Sequence, residues 1–285
     1  MQLIRKTSVK IIKGLLSILP QSFVDKVKQN PKLVAAYSRN LHKSGLLYQL
    51  QTLDELKRSY DDYINEHNCY LARQVKHFAE VTNSDCSLIV CVADYSPSNL
   101  LATFNSINEQ HAAFLNVVVY CKVNNRVEIN EFLALNSVLN FRVVTSLSAE
   151  CLPREVVNTP CFFVNAGDVL HPYLGFVLAT ELSSSAKLAY VDTDSLNAKD
   201  KKREFADFKP SWNPDLQLTN GYVSSGIWVE NLSDFNVIKL PLNEFMLSVF
   251  ICTSYINNPN INVEHIAQVL LSRPSNLPKF SNATH

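Results

Sequence analysis

The spacing of apolar residues changes near residue 85. Before that point it is helical. Residues 3–19, LIRKTSVKIIKGLLSIL, set Leu3, Ile4, Val9, Ile11, Ile12, Leu15, Leu16, Ile18 and Leu19 among Arg5, Lys6, Lys10 and Lys13, which predicts a basic amphipathic helix. Ser22 with Asp25, Pro31, and Thr52 with Glu55 supply further helix starts, so 1–80 reads as a helical N-terminal segment. From Ser87 onward, apolar runs of strand length alternate with helical patterns. Ser87–Val92, Asn116–Cys121, Phe141–Val144, Cys161–Asn165 and Lys187–Val191 predict strands; Asn99–Gln110 and Glu128–Leu139 predict helices between them. Leu242–Tyr255 reads as a later helix and Val263–Ser272 as a closing strand, with loop from Arg273 and a flexible tail over 274–285. Such alternation implies an α/β fold with a mostly parallel sheet covered on both faces, occupying 86–273.

Composition fits one main domain with an accessory segment: 285 residues, 47% hydrophobic and 18% charged. Seven cysteines are scattered, odd in number and without a paired CxxC spacing; four of them, Cys86, Cys91, Cys121 and Cys161, lie in or beside apolar runs, which reads as buried reduced thiols in a cytoplasmic protein. The net charge is zero, yet residues 1–50 carry nine Lys/Arg against Asp25 alone, and the rest is mildly acidic. No basic, aromatic-bearing face marks the folded part, which argues against nucleic acid as a partner. Residues 3–19 are too short and too charged to span a bilayer, and no small-residue cleavage site follows Pro20. Two readings stay open for them: a helix lying on an anionic membrane surface, peripheral on its inner face, or a helix packed on the main domain or a partner protein.

Candidate chemistry sits at strand ends. The chain has no Walker motif, no glycine-rich dinucleotide fingerprint and no GxSxG elbow. It does have Asp94, Asp168, Asp192 and Asp194 at or just beyond strand ends, where an open α/β sheet presents its ligand crevice. Such carboxylates can hold a divalent ion that neutralises the leaving diphosphate of a nucleotide donor, or each can cap the helix that follows.

Three runs carry a family resemblance: Val164–Asp168, Tyr190-Val-Asp-Thr-Asp194, and Phe208-Lys-Pro-Ser-Trp-Asn-Pro-Asp-Leu-Gln-Leu-Thr-Asn-Gly-Tyr222. They resemble a Leu-Asp-His-Asp-Asp-like strand end, a Tyr-Ser-Asp-Glu-Asp strand and a Phe-Lys-Pro-Asp-Trp-Ser-Pro-Asp run of the family 2 glycosyltransferases, most closely the branch often described as rhamnosyltransferases. Ser87–Gln110, with its Ser106–Gln110 ending, and Val263–Leu271 resemble that family's opening and closing elements, so the likeness covers roughly 86–273. The resemblance implies a glycosyltransferase A-type, nucleotide-diphospho-sugar transferase fold. It also implies a nucleotide-sugar donor, a glycan acceptor, and an Mn²⁺ or Mg²⁺ ion held in part by Asp168. Asp94, Tyr120, Asn165, Asp192, Asp194, Lys209, Trp212 and Asp215 would lie around donor and acceptor.

The chain also departs from the family. Asn165-Ala166-Gly167 stands where the family has Asp-x-Asp, and Tyr120-Cys121 stands where it has two aspartates beside the nucleotide. The segment between Phe141 and Cys161 is short, and the helix that bears the family's catalytic base offers only Glu244, within Pro241–Phe245. Glu244 reads either as the general base of inverting transfer or as a capping acid. Trp212 reads either as a platform for a sugar face or as the anchor of a rigid loop. Two functions follow. The chain transfers a sugar from a nucleoside-diphosphate donor to a glycan in cell-surface polysaccharide synthesis, or it is a non-catalytic relative that binds glycan or scaffolds a partner enzyme.

Overall fold

The computed structural model describes residues 53–136, 141–147, 151–197, 202–232 and 244–275, together with Lys32. The basic stretch 3–19 and the tail beyond 275 lie outside the described residues. The chain divides into two units, 1–66 and 67–285. Helix α1 (Leu53–His77) starts in the first, where Tyr60 and Tyr63 stack at 5.9 Å, and ends in the second. In that second unit Leu71 and Val75 are buried in a hydrophobic cluster on the sheet.

The second unit bears out the α/β class expected from the sequence. A short parallel pair, β1 (Asn83–Ser84) with β3 (Ala113–Phe114), stands apart from the main sheet. Apolar strands β2 (Ser87–Val92), β4 (Val117–Cys121), β5 (Phe141–Val144) and β6 (Cys161–Asn165) lie parallel in the order β5-β4-β2-β6. Helices α2 (Pro97–Asn108), α3 (Arg126–Leu135) and the single turn α4 (Arg154–Val157) connect them. In β2, Leu88, Val90 and Val92 enter one apolar cluster while Ile89 and Cys91 enter the other, so the sheet is buried on both faces.

Beyond β6 the order continues β10-β8-β11-β7. Here β7 (Val169–Leu170) and the three-residue β10 (Ile227–Val229) run against their neighbours, as does β9 (Arg203–Asp207) on β8 (Leu188–Leu196). Strand β11 (Val263–Pro274) is parallel to β8. Six of the nine strands in this sheet therefore share one direction. Helices α5 (Leu174–Glu181), α6 (Pro214–Asn220) and α7 (Glu244–Asn257) complete the unit.

Two boundaries differ from expectation. Strand β8 runs on through Asp192 and Asp194 instead of ending before them. Arg273 and Pro274, read as the start of a loop, extend β11, and the Ser275 N–H still bonds to the Leu196 carbonyl at 3.1 Å. Both extensions have one cause: each strand supplies the other's pairing partner, with Arg273 opposite Ser195.

Candidate active site

The site lies at the carboxyl edge of the sheet. From β2 the chain moves outward through β4 to β5, then returns in β6 on the other side of β2, so the connections diverge between β2 and β6. A divergence of this kind opens a crevice beyond the strand ends. Cys91 and Asn165 are paired across it, and the Ala166 N–H bonds to the Cys91 carbonyl at 2.9 Å. The Asn165 side chain is 8% exposed, and its amide nitrogen is buried without a hydrogen-bond partner. A buried donor left in that state is costly and marks a place for an acceptor.

The turn after Asn165 is tied down from three directions. Asp168, fully buried, accepts from the Asn165 N–H at 2.8 Å and from the Ser225 hydroxyl at 2.7 Å through Oδ2. Its Oδ1 lies 3.9 Å from Nε of Arg273 on β11. The Gly167 N–H donates to Thr103 Oγ1 on α2 at 2.8 Å. Gly167 has φ +106°, and a Cβ there would sit 3.0 Å from Pro274 Cγ and 3.4 Å from Asn99. No side chain, and so no carboxylate, fits at 167 without strain.

Asp94, Asp192 and Asp194 are each matched to a base. Asp94 is on the loop after β2 with its side chain 98% exposed, 3.5 Å from Lys122 Nζ. Asp192 accepts from the Lys209 N–H at 2.8 Å and from His265 Nε2–H at 2.7 Å. Asp194 accepts from Arg203 Nε at 2.6 Å, and the same guanidinium donates to the Val269 carbonyl at 3.2 Å. Lys209 Nζ donates to Thr193 Oγ1 at 3.0 Å and lies 3.4 Å from Asp207; burial pulls its pKa down, against the pull of Asp207 and Asp192. Asp168, Asp192 and Asp194 share the sheet edge but not a cluster. Val169 and Asp194 pair with Ser272 from opposite sides, two strand spacings or about 10 Å apart.

The Lys209–Asp215 run folds as an aromatic-anchored loop. Tyr190 OH donates to the Pro210 carbonyl at 2.6 Å, and the Tyr190 ring stacks on His265 at 4.8 Å. Trp212 is half-buried against Tyr190, Tyr222 and Tyr255, with its indole N–H buried and lacking a hydrogen-bond partner. Asn213 caps α6 by accepting from the Leu216 N–H at 2.9 Å, and Gly221 closes that helix in the left-handed region at φ 57°. Asp215 is exposed in the first turn of α6 and is not its cap. Tyr120 is 8% exposed on β4, with its hydroxyl pKa raised by burial, so its ring is a core element and not an open stacking surface. Glu244 is the first residue of α7, and its side chain lies outside the described residues.

Arg203, Arg273, Ser225 and His265 were not among the residues singled out from the sequence. The two arginines had a signal: they are the only ones after Arg154, in a stretch that carries the three buried aspartates Asp168, Asp192 and Asp194. Buried acids call for bases.

Among the described residues no group of three or more His, Cys, Asp or Glu is placed to hold a metal ion. The turn itself offers a neutral amide at 165, no ligand atom at 167 and one carboxylate beside a guanidinium. That donor set does not fit the divalent ion that the family resemblance implies.

No protein-family profile and no curated protein sequence matches this chain. Several solved structures are similar to it. Residues 1–349 of S. aureus TarS align at 17% identity with a TM-score of 0.45, covering 66% of this chain and 60% of that one. The same TarS fragment in complex with UDP aligns at 14% identity with a TM-score of 0.44, over the same shares. Glucosyl-3-phosphoglycerate synthase from Mycobacterium tuberculosis, in complex with Mn²⁺, UDP and phosphoglyceric acid, aligns at 9% identity with a TM-score of 0.41, covering 67% of this chain and 70% of that one. The chain thus spans less than two thirds of the TarS fragment's length.

Proposed function

We propose that this chain is a glycosyltransferase of the nucleotide-sugar class, built on the A-type fold, which seats a nucleoside-diphosphate sugar at the β2/β6 crevice and passes the sugar to a glycan acceptor. The observation that carries the proposal is the buried Asn165 amide without a hydrogen-bond partner, at the point where the strand connections diverge. The Phe208–Tyr222 run supports it, because the stretch most like family 2 glycosyltransferases packs against the same β8 that ends at this edge. Inverting transfer needs a base within reach of the acceptor hydroxyl, and Glu244 at the start of α7 is the candidate. A cell-surface polysaccharide is the proposed acceptor, with residues 3–19 holding the chain at an anionic membrane surface.

One observation favours a second reading. Asp94, Asp168, Asp192 and Asp194 each stand beside a base of the protein itself, as expected of a glycosyltransferase-like domain that keeps the packing and has given up the chemistry. Incubation with UDP-, dTDP- and GDP-linked sugars and mixed glycan acceptors separates the two readings. UDP, which two of the similar structures hold, comes first. Acceptor-dependent release of the nucleoside diphosphate is the expected result. Saturable nucleotide binding without release would leave the non-catalytic reading standing. Absence of both would remove donor-dependent function altogether.

A further inference from the structure

Helix α2 buries two kinds of residue. Leu100, Phe104 and Ile107 enter the apolar cluster on the sheet. Thr103 and Ser106 are polar, yet only 0% and 3% exposed. Spacings of four and three place Asn99, Thr103 and Ser106 on one face of the helix. Hydroxyls buried inside a helix are costly unless they are bonded, so this row calls for partners.

Each hydroxyl is used twice. Thr103 Oγ1 donates to the Asn99 carbonyl at 3.3 Å and accepts from the Gly167 N–H at 2.8 Å. Ser106 Oγ donates to the Thr103 carbonyl at 2.7 Å and accepts from the Leu170 N–H at 3.0 Å. Gln110, two residues beyond the helix, donates to the Ser106 carbonyl at 3.1 Å and to the His171 carbonyl at 2.8 Å, and accepts from the Gly175 N–H at 3.1 Å. Three side chains thus hold four backbone groups of the segment 167–175. The protons of both hydroxyls go to α2's own backbone, which turns their lone pairs toward the segment.

That segment begins at the crevice. The Asn165 carbonyl accepts from the Asp168 N–H at 3.0 Å, which closes the turn around Gly167. A glycine has many conformations open to it, and the bond to Thr103 selects the one observed, φ +106°. A buried donor such as the Asn165 amide serves a ligand only when it is held close to one position.

We infer that Thr103, Ser106 and Gln110 are positioning residues, which act through the backbone of 167–175 to set where the Asn165 side-chain N–H points and so how tightly the β2/β6 crevice holds its nucleotide. The inference rests on the nucleotide-sugar reading above. It gives the Ser106–Gln110 ending of α2 a role that its sequence alone did not disclose.

Three variants test it. Thr103→Val keeps the shape and removes the acceptor of the Gly167 N–H, Thr103→Ser keeps the hydroxyl, and Ile107→Val removes a methyl group from the apolar row of the same helix. The full chain is titrated with UDP, dTDP and GDP, with calorimetry and amide-detected NMR as readouts. Thr103→Val is expected to shift the Asn165 side-chain amide in the free protein and to lose about tenfold in affinity for the nucleotide that binds. Thr103→Ser and Ile107→Val should both stay within about twofold of the unaltered chain. Thr103→Val binding as tightly as Thr103→Ser, or Ile107→Val losing as much as Thr103→Val, would overturn the inference and leave the nucleotide reading intact. Binding of none of the three nucleotides by the unaltered chain would remove both. Should Thr103→Val fail to fold, Ser106→Ala against Ser106→Thr makes the same comparison at the Leu170 N–H, and the same outcomes decide.

Discussion

The two halves of the sheet are built differently. In β5-β4-β2-β6 all neighbours are parallel, and β2, β4 and β6 are buried along their whole length and apolar except for Ser87 and Asn165. In β10-β8-β11-β7 the directions are mixed, β11 slips register twice, and buried Asp168, Asp192 and Asp194 are each balanced by Arg273, His265 or Arg203. The first half is held by apolar burial, with Ser87 and Asn165 as buried polar residues at the ends of β2 and β6. The second is held by charge pairs, ring stacks and caps, and it brings a polar edge to the crevice. One half is scaffold and the other positions chemistry, and the crevice lies where β2 and β6 of the scaffold end.

Breaking each half should therefore cost stability by a different route. Phe163, fully buried in β6, should lose about 4 kcal/mol on truncation to alanine, because β2 and β10, paired to β6 on either side, leave no freedom to collapse. Asp168→Ala should lose about 3 kcal/mol, by removing the acceptor of the Asn165 N–H and the Ser225 hydroxyl and the carboxylate beside Arg273. Urea denaturation reads both. Equal, small losses would mean that the two halves are not distinct.

Gly167→Asp sharpens the comparison, since it restores the acid of the family motif. The account expects a loss of about 2 kcal/mol from φ +106° and the Pro274 contact. It expects no Mn²⁺ site, which paramagnetic resonance of the titrated ion can check.

Acid should act on the polar side through His171. This imidazole takes the Tyr173 N–H on Nδ1 at 3.2 Å and donates from Nε2 to Asn68 at 2.8 Å, so it is held neutral. Burial, with repulsion from Arg203 and His67, lowers its pKa from 6.5 to about 3. The folded state then binds fewer protons than the unfolded one between those values. Its stability is fully present above about pH 6.5 and declines as pH falls toward 3. Urea midpoints should drop between pH 7.5 and 5, and His171→Asn should flatten that slope. The smallest effect is reserved for Asp94, whose side chain is 98% exposed beside Lys122. Asp94→Ala should change stability by less than about 0.5 kcal/mol, and a larger change would place it in a network outside the pairs described.

Much of the scaffold was legible in the sequence and much of the site was not. Ser87–Val92, Phe141–Val144 and Cys161–Asn165 fall where their apolar runs predict; for the first and last, a strand buried on both faces has little other composition available. The start of α2 moved to Pro97, a residue suited to the first helical turn and read as loop from its serine neighbours. β7, β9 and β10 carry no independent pattern; they are two to five residues long and exist through their pairing with β6, β8 and β11. At the site, the aspartates at strand ends were visible as residues, but their partners were not. Asp192 meets His265 across 73 positions of sequence and Asp168 meets Ser225 across 57, and no local pattern encodes such distances. What the sequence did carry was the neutral Asn165-Ala166-Gly167 turn, whose meaning came from Pro274 and Arg273 folding against it.

The central claim is that a nucleotide enters at the β2/β6 divergence. Amide-detected NMR of isotopically labelled protein, titrated with UDP, dTDP and GDP in turn, tests it most directly. The account predicts that the binding nucleotide shifts the Asn165 side-chain amide together with the backbone of Ala93, Asp94 and Gly167. Resonances of α6 and of the Trp212 indole should move less. Shifts centred on Trp212 and α6 with Asn165 unmoved, or no shift with any of the three nucleotides, would contradict it.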